Sequence, residues 1–139
     1  MLTLKRYLTA DNKYPDRETH KELNDEIKKN AEDLLKRVNA LLADLGIDKV
    51  AVSSGFRPSG VNANTPGSAK KSAHMRGSAI DLSDDKSQTI CKKILAKPEL
   101  LKKHGLWMED PARTIGKNTN WTHLDTVVRK DRPIQVFKP

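Results

Sequence analysis

Two short stretches of this chain carry residue types that can bind a metal ion. The first is Ser72-Ala73-His74-Met75-Arg76-Gly77-Ser78-Ala79-Ile80-Asp81. A His followed three residues later by Gly and seven later by Asp suits a loop that turns into a strand. Gly77 lets the backbone fold tightly, and Asp81 then points back beside His74. The second stretch is Asn120-Trp121-Thr122-His123-Leu124-Asp125, on a strand where 121, 123 and 125 share one face. Neutral imidazole and carboxylate are both good ligands for Zn²⁺, and three protein ligands leave a fourth position open, the arrangement of a catalytic site. Spacing alone leaves the alternative of a hydrogen-bonded or surface His–Asp pair. The better-known zinc patterns, HExxH and paired CxxC, are absent.

A third stretch, Ser53-Ser54-Gly55-Phe56-Arg57-Pro58, precedes these two. Together, in order and at matching intervals, the three resemble the pattern SG(Y/F)R, SxHxxGxAxD and WxH of the zinc D-alanyl-D-alanine carboxypeptidase/dipeptidase family. That family shares its fold with the hedgehog signalling domain and includes phage endolysins. The resemblance spans roughly residues 50–126, and each motif alone would be weak. It implies one zinc ion held by His74, Asp81 and His123. It also implies hydrolysis of peptidoglycan stem peptides, as a D-Ala-D-Ala carboxypeptidase or an L-Ala-D-Glu type endopeptidase. Zinc in such a site polarises the scissile carbonyl and makes water a nucleophile near neutral pH.

The same resemblance suggests roles for the neighbours. Arg57 offers a forked cation to a substrate carboxylate or a developing oxyanion. Ser72 hydrogen-bonds a ligand or the substrate. Many family members carry Glu or Asp three residues before the last His, where this chain has Asn120, and an amide cannot take a proton. Glu109 is the first choice for the general base, because similar phage-type members have a Glu-Asp pair upstream of WxH. Asp110 is the second choice, with a solvated turn before Pro111 as its bland reading. Asp125 is an alternative base or a partner that orients an imidazole. His20 and His104 fall outside every motif and are expected to be exposed and near a helix end, respectively. Trp121 is expected to pack rather than touch substrate.

These residues need a frame. Residues 1–20 read as polar and irregular, with Tyr7, Tyr14 and Pro15 as packing points. Apolar residues from Leu23 to Leu45 recur at three- and four-residue steps, predicting a long helix over about 22–45 that ends at Gly46. Val50-Ala51-Val52 predicts a short strand, residues 59–73 a polar loop whose 59–71 part could wall a cleft, and Ser78–Leu82 a second strand. A helix over about 86–96, capped by Asp84 or Asp85, is followed by a short one from Pro98. Gly105–Met108 and Trp121–Asp125 read as strands, and Ile134–Phe137 as a sheet-edge strand. The expected class is α+β in a single domain over 1–139: a small, mainly antiparallel sheet with helices packed on it, and a motif-bearing core over about 50–137.

Composition narrows the context. Hydrophobic residues are 36% and charged residues 32%, which suits a globular protein with a modest core. No apolar run reaches the ~20 residues of a membrane span. The first residues lack the features of a secretory signal. The expectation is therefore synthesis in the cytoplasm and action on the cell wall after release, as during phage lysis. A net charge of +8 calls for an anionic surface such as a cell wall, while aromatics at 4% and the absence of any nucleic-acid module argue against a specific nucleic-acid partner. A lone cysteine, Cys91, excludes an internal disulfide and reads as a buried structural thiol. A monomer is expected. A second reading is a zinc-containing module of the same fold that binds wall or partner and hydrolyses nothing.

Overall fold

The computed structural model describes residues 1–10, 15–115 and 120–138. Tyr14 lies outside them. The fold is α+β, as the pattern predicted. Five strands form one sheet: β1 (Val52–Ser54), β2 (Ala79–Asp84), β3 (Trp107–Glu109), β4 (Asn120–Asp125) and β5 (Val136–Phe137). Their order is β1-β2-β4-β3-β5, antiparallel except for the parallel edge pair of β3 and β5.

Alternation divides the two faces of the sheet. Ile80, Leu82, Leu124 and Met108 project into the core. Asp81 and His123 project the other way, directly opposite each other in the β2–β4 ladder. The sheet thus buries one face against helices and carries the polar cluster on the other.

The long helix α2 (Asp25–Asp44) supplies most of that cover, burying Ala31, Leu34, Leu35, Val38, Leu41 and Leu42 along one stripe. It starts later than periodicity suggested, because Asn24 caps it: its side chain accepts from Ile27 N–H at 2.8 Å, and Asp25 and Glu26 favour the positive helix end. Helix α4 (Thr89–Ala96) also starts later than expected. Both predicted acids nevertheless cap its free N–H groups, Asp85 taking Thr89 and Asp84 taking Ile90 and Cys91. Helix α5 (Glu99–Lys103) follows.

Three expectations need correction. The N-terminal stretch is not irregular: it forms α1 (Leu4–Leu8), capped by Thr3, and a 3-10 turn at Pro15–Thr19. Tyr7 packs as expected and pins α1 to β2, its buried hydroxyl donating to Ala79 O at 2.8 Å. The first strand is shifted to Val52–Ser54, since its ladder with β2 runs through Val52 and Ser54 with an irregularity between them. Residues 59–73 are not all loop, for α3 (Ser59–Ala63) starts directly after Pro58.

Candidate metal centre

His74 sits on a 3-10 turn, Ala73–Arg76, just before β2. The turn ends at Gly77 in the left-handed conformation (φ 72°), with its back against α2, where a Cβ would lie 2.5 Å from Ile27 O. Only glycine satisfies both demands. Asn30 of α2 also donates to Arg76 O at 3.0 Å. Ser72 opens the turn, its hydroxyl accepting from His74 N–H at 3.2 Å. That bond holds the backbone of the turn, and the hydroxyl keeps its own proton to donate.

The Ser54–Pro58 corner fixes the imidazole of His74. His74 Nδ1 lies 2.8 Å from Gly55 O, and a carbonyl can only accept, so Nδ1 carries the proton. In return Arg57 N–H donates to His74 O at 3.1 Å. Gly55 is required there because any Cβ would overlap the Tyr7 carbonyl. His74 Nε2 is left with a lone pair, buried and without a hydrogen-bond partner.

Asp81 Oδ2 lies 3.4 Å from that nitrogen. Both atoms are acceptors, so no hydrogen bond joins them. Asp81 Oδ1 lies 2.9 Å from His123 Nδ1. Burial alone would raise the Asp81 carboxyl, but the hydrogen bond and positive charge of His123 hold it well below the usual carboxylate range. Burial pushes the His74 imidazole below its ordinary value, so it stays neutral. Burial opposes the charge on His123 too, yet hydrogen bonds to Asp125 and Asp81 raise it to about 9. One donor atom from each of His74, Asp81 and His123 lies within 4.8 Å of the other two. Two imidazoles and a carboxylate, converging with an orphaned lone pair among them, fit a zinc ion.

The remaining predicted residues distribute around this cluster. Arg57 is tied inward, its Nε donating to Ser54 Oγ at 3.0 Å and its Nη2 to Asp81 Oδ2 at 3.1 Å. It also borders a cleft of about 340 Å³ whose walls include Lys21, Phe56, Ser59 and Met75. Glu109 ends β3, and one further step of the β3–β4 register sets it opposite His123. Its half-buried carboxyl is raised by burial and by Asp81 and Asp125, against the opposing pull of His123. Asp110 caps the next turn, its Oδ1 accepting from Ala112 N–H at 3.0 Å. Asp125 is buried, with Oδ2 accepting from His123 Nε2 at 2.9 Å and both oxygens bound to Arg129. Val127 N–H takes Oδ1 as well, so all four lone-pair sites of this carboxylate are engaged. Asn120 donates to Asp85 O at 3.0 Å at the start of β4.

His104 bonds Asp44 at 2.7 Å, away from the cluster. His20 is half-buried rather than exposed, with its Nδ1 accepting from Glu22 N–H and its ring edge on Phe56. Cys91 is a buried thiol 3.1 Å from Thr122 Oγ1, and burial pushes it up to about 11. Arg129, the carboxylate-binding guanidinium behind His123, has no sequence signature: it lies four residues from Asp125 in an irregular segment, where periodicity carries no signal.

Two histidines and one carboxylate that could hold a metal ion thus converge on one face of a small, mainly antiparallel sheet in an α+β protein. Residues 16–125 match the Peptidase M15 family, and the chain belongs to that family of zinc-dependent peptidases. No curated protein matches the chain.

Proposed function

We propose that the chain is a zinc peptidase hydrolysing the stem peptides of bacterial peptidoglycan, as a D-Ala-D-Ala carboxypeptidase or an L-Ala-D-Glu type endopeptidase. The observation that carries this reading is the buried lone pair of His74 Nε2, set beside Asp81 and His123 in a chain of the M15 family. His74 through Nε2, Asp81, and His123 through Nδ1 would hold the ion. When bound, zinc supplies Lewis acidity toward a carbonyl and makes water a better nucleophile at neutral pH.

The chain's own groups do the rest. Glu109 takes the proton of the attacking water and passes it to the leaving amine. Its half-buried setting suits the task, because a raised carboxyl both accepts and returns a proton more readily near neutral pH. Asp125 keeps the proton of His123 on Nε2. Arg57 braces Asp81 and borders the adjoining cleft, where a substrate carboxylate would meet its positive charge.

The ordered motifs shared with cell-wall peptidases, including phage endolysins, support the substrate class. A charge of +8 favours adsorption to an anionic wall. We assign the protein to the phage or prophage lysins, acting as a monomer on the wall after release during lysis. No helix among the described residues is long and apolar enough to cross a membrane. Incubation of zinc-loaded protein with purified peptidoglycan, read by mass spectrometry, should release new amino termini that a chelator abolishes. Zinc-loaded protein that binds wall and releases none would favour a non-catalytic binding module.

A further inference from the structure

The region that matches the peptidase family ends at Asp125, yet the chain continues and folds back onto the site. Arg129 returns its guanidinium to Asp125, with Nη1 2.6 Å from Oδ1 and Nη2 3.0 Å from Oδ2. This is a bidentate fork, the strongest common pairing of a guanidinium with a carboxylate. Val127 N–H adds a bond to Oδ1 at 3.1 Å. Aromatic rings fix the guanidinium plane: its carbon lies 3.6 Å from the Phe137 ring centroid and 5.5 Å from that of Trp107. Phe137 also stands edge-on to His123, with ring centroids 5.8 Å apart.

Four donors now share the two oxygens of Asp125: His123 Nε2, Val127 N and the two Arg129 nitrogens. The carboxylate cannot turn without breaking several of these bonds at once. His123 must therefore keep Nε2–H on Asp125, which leaves Nδ1 as the nitrogen facing Asp81. Without the fork, only His123 Nε2 and Val127 N–H would remain on Asp125, leaving a buried carboxylate balanced by one imidazole and held by half its bonds.

We propose that Arg129 is a positioning residue of the metal centre, acting through Asp125 to hold His123 with Nδ1 toward Asp81 and His74. Phe137 of the C-terminal strand sets the plane in which Arg129 acts. The inference rests on the zinc reading above and assigns part of the centre's support to residues beyond the matched region.

The test uses the full chain and the variants Arg129→Met, Arg129→Lys and Phe137→Leu. Each is titrated with Zn²⁺ against a competing chelator and with Co²⁺ followed by its visible absorption, below the unfolding midpoint of its metal-free form. Arg129→Met should weaken zinc binding by about 10–100-fold and shift the cobalt bands. Arg129→Lys, which keeps the charge without the fork, should recover part of that loss, and Phe137→Leu should fall between wild type and Arg129→Met. A role in folding alone would lower the unfolding midpoint and leave the cobalt bands in place, which would overturn the proposal. If Arg129→Met does not fold, the other two variants decide. Variants with wild-type zinc affinity and cobalt bands overturn the proposal and leave the zinc reading standing; wild-type protein that binds neither ion overturns both.

Discussion

His74 Nε2 and Asp81 Oδ2 face each other at 3.4 Å in a buried site, and neither carries a proton to share. Two acceptors so placed repel one another unless a cation lies between them. The fold enforces the approach. The Gly55 carbonyl holds the proton of His74 on the far nitrogen, and central strand β2 buries Asp81.

Glu109 is the carboxylate proposed to move the proton, and Asp110 beside it is committed to a cap. Glu109→Gln should lower kcat by about 100- to 10,000-fold while the zinc content stays unchanged. Asp110→Asn, which preserves an acceptor for Ala112 N–H, should retain near-wild-type turnover. Steady-state kinetics on a stem peptide, paired with metal analysis, checks both. Activity in Glu109→Gln close to wild type would remove Glu109 from the mechanism.

To bind at the proposed site, zinc must displace a proton from His123, which Asp125 and Asp81 raise to about 9 against the effect of burial. His74, lowered by burial, and Asp81, lowered by His123 despite burial, add none near neutral pH. Below about 9, the apparent Kd for zinc should therefore rise about tenfold for each unit by which the pH falls, and level off above it. The same proton acts on folding. A raised imidazole stabilises the metal-free fold below its unfolded value of 6.5, and that contribution is lost as the pH rises through about 9. Chelator competition across a pH series measures the first effect, and a flat profile would count against this ligand set.

Two glycines hold the geometry of His74. Gly77→Ala places a side chain at φ 72° and a Cβ 2.5 Å from Ile27 O. We expect a loss of at least about 2 kcal/mol in denaturant unfolding. Gly55→Ala should be worse, since the Tyr7 carbonyl cannot yield without moving α1 from β2. Wild-type stability in either variant would show that the turn can relax.

Much of this architecture is legible in the sequence where one short stretch contains both cause and effect. The stripe from Leu23 to Leu45 marks α2, and the spacing of His74, Gly77 and Asp81 encodes a turn entering a strand. Features that depend on distant partners are not legible. The Tyr7 hydroxyl bonds Ala79 across 72 positions, so α1, only 5 residues long, leaves no periodic trace. Val50 and Ala51 look more strand-like than Ser53 and Ser54, yet the ladder with β2 takes the serines, and Ser53 Oγ bonds Asp81 O at 3.2 Å. Arg129 matters through its fork to Asp125 and its seat on Phe137, which β5 brings beneath it, and neither contact is marked by a local pattern.

Cys91 should be chemically silent in the folded protein. Burial raises its thiol to about 11, so little thiolate exists at neutral pH, and Thr122 covers the sulfur. A thiol reagent at pH 8 should label it only after denaturation, and Cys91→Ala should leave hydrolysis intact. Rapid labelling of native protein would contradict the placement of α4 against β4.

If His74, Asp81 and His123 hold one zinc ion, elemental analysis of zinc-equilibrated, gel-filtered protein will show it, read beside folded Asp81→Asn and His123→Ala variants. One zinc per chain is expected in the wild type, and its loss in both variants. Metal-free wild type, or variants that retain a full equivalent, would contradict this ligand set.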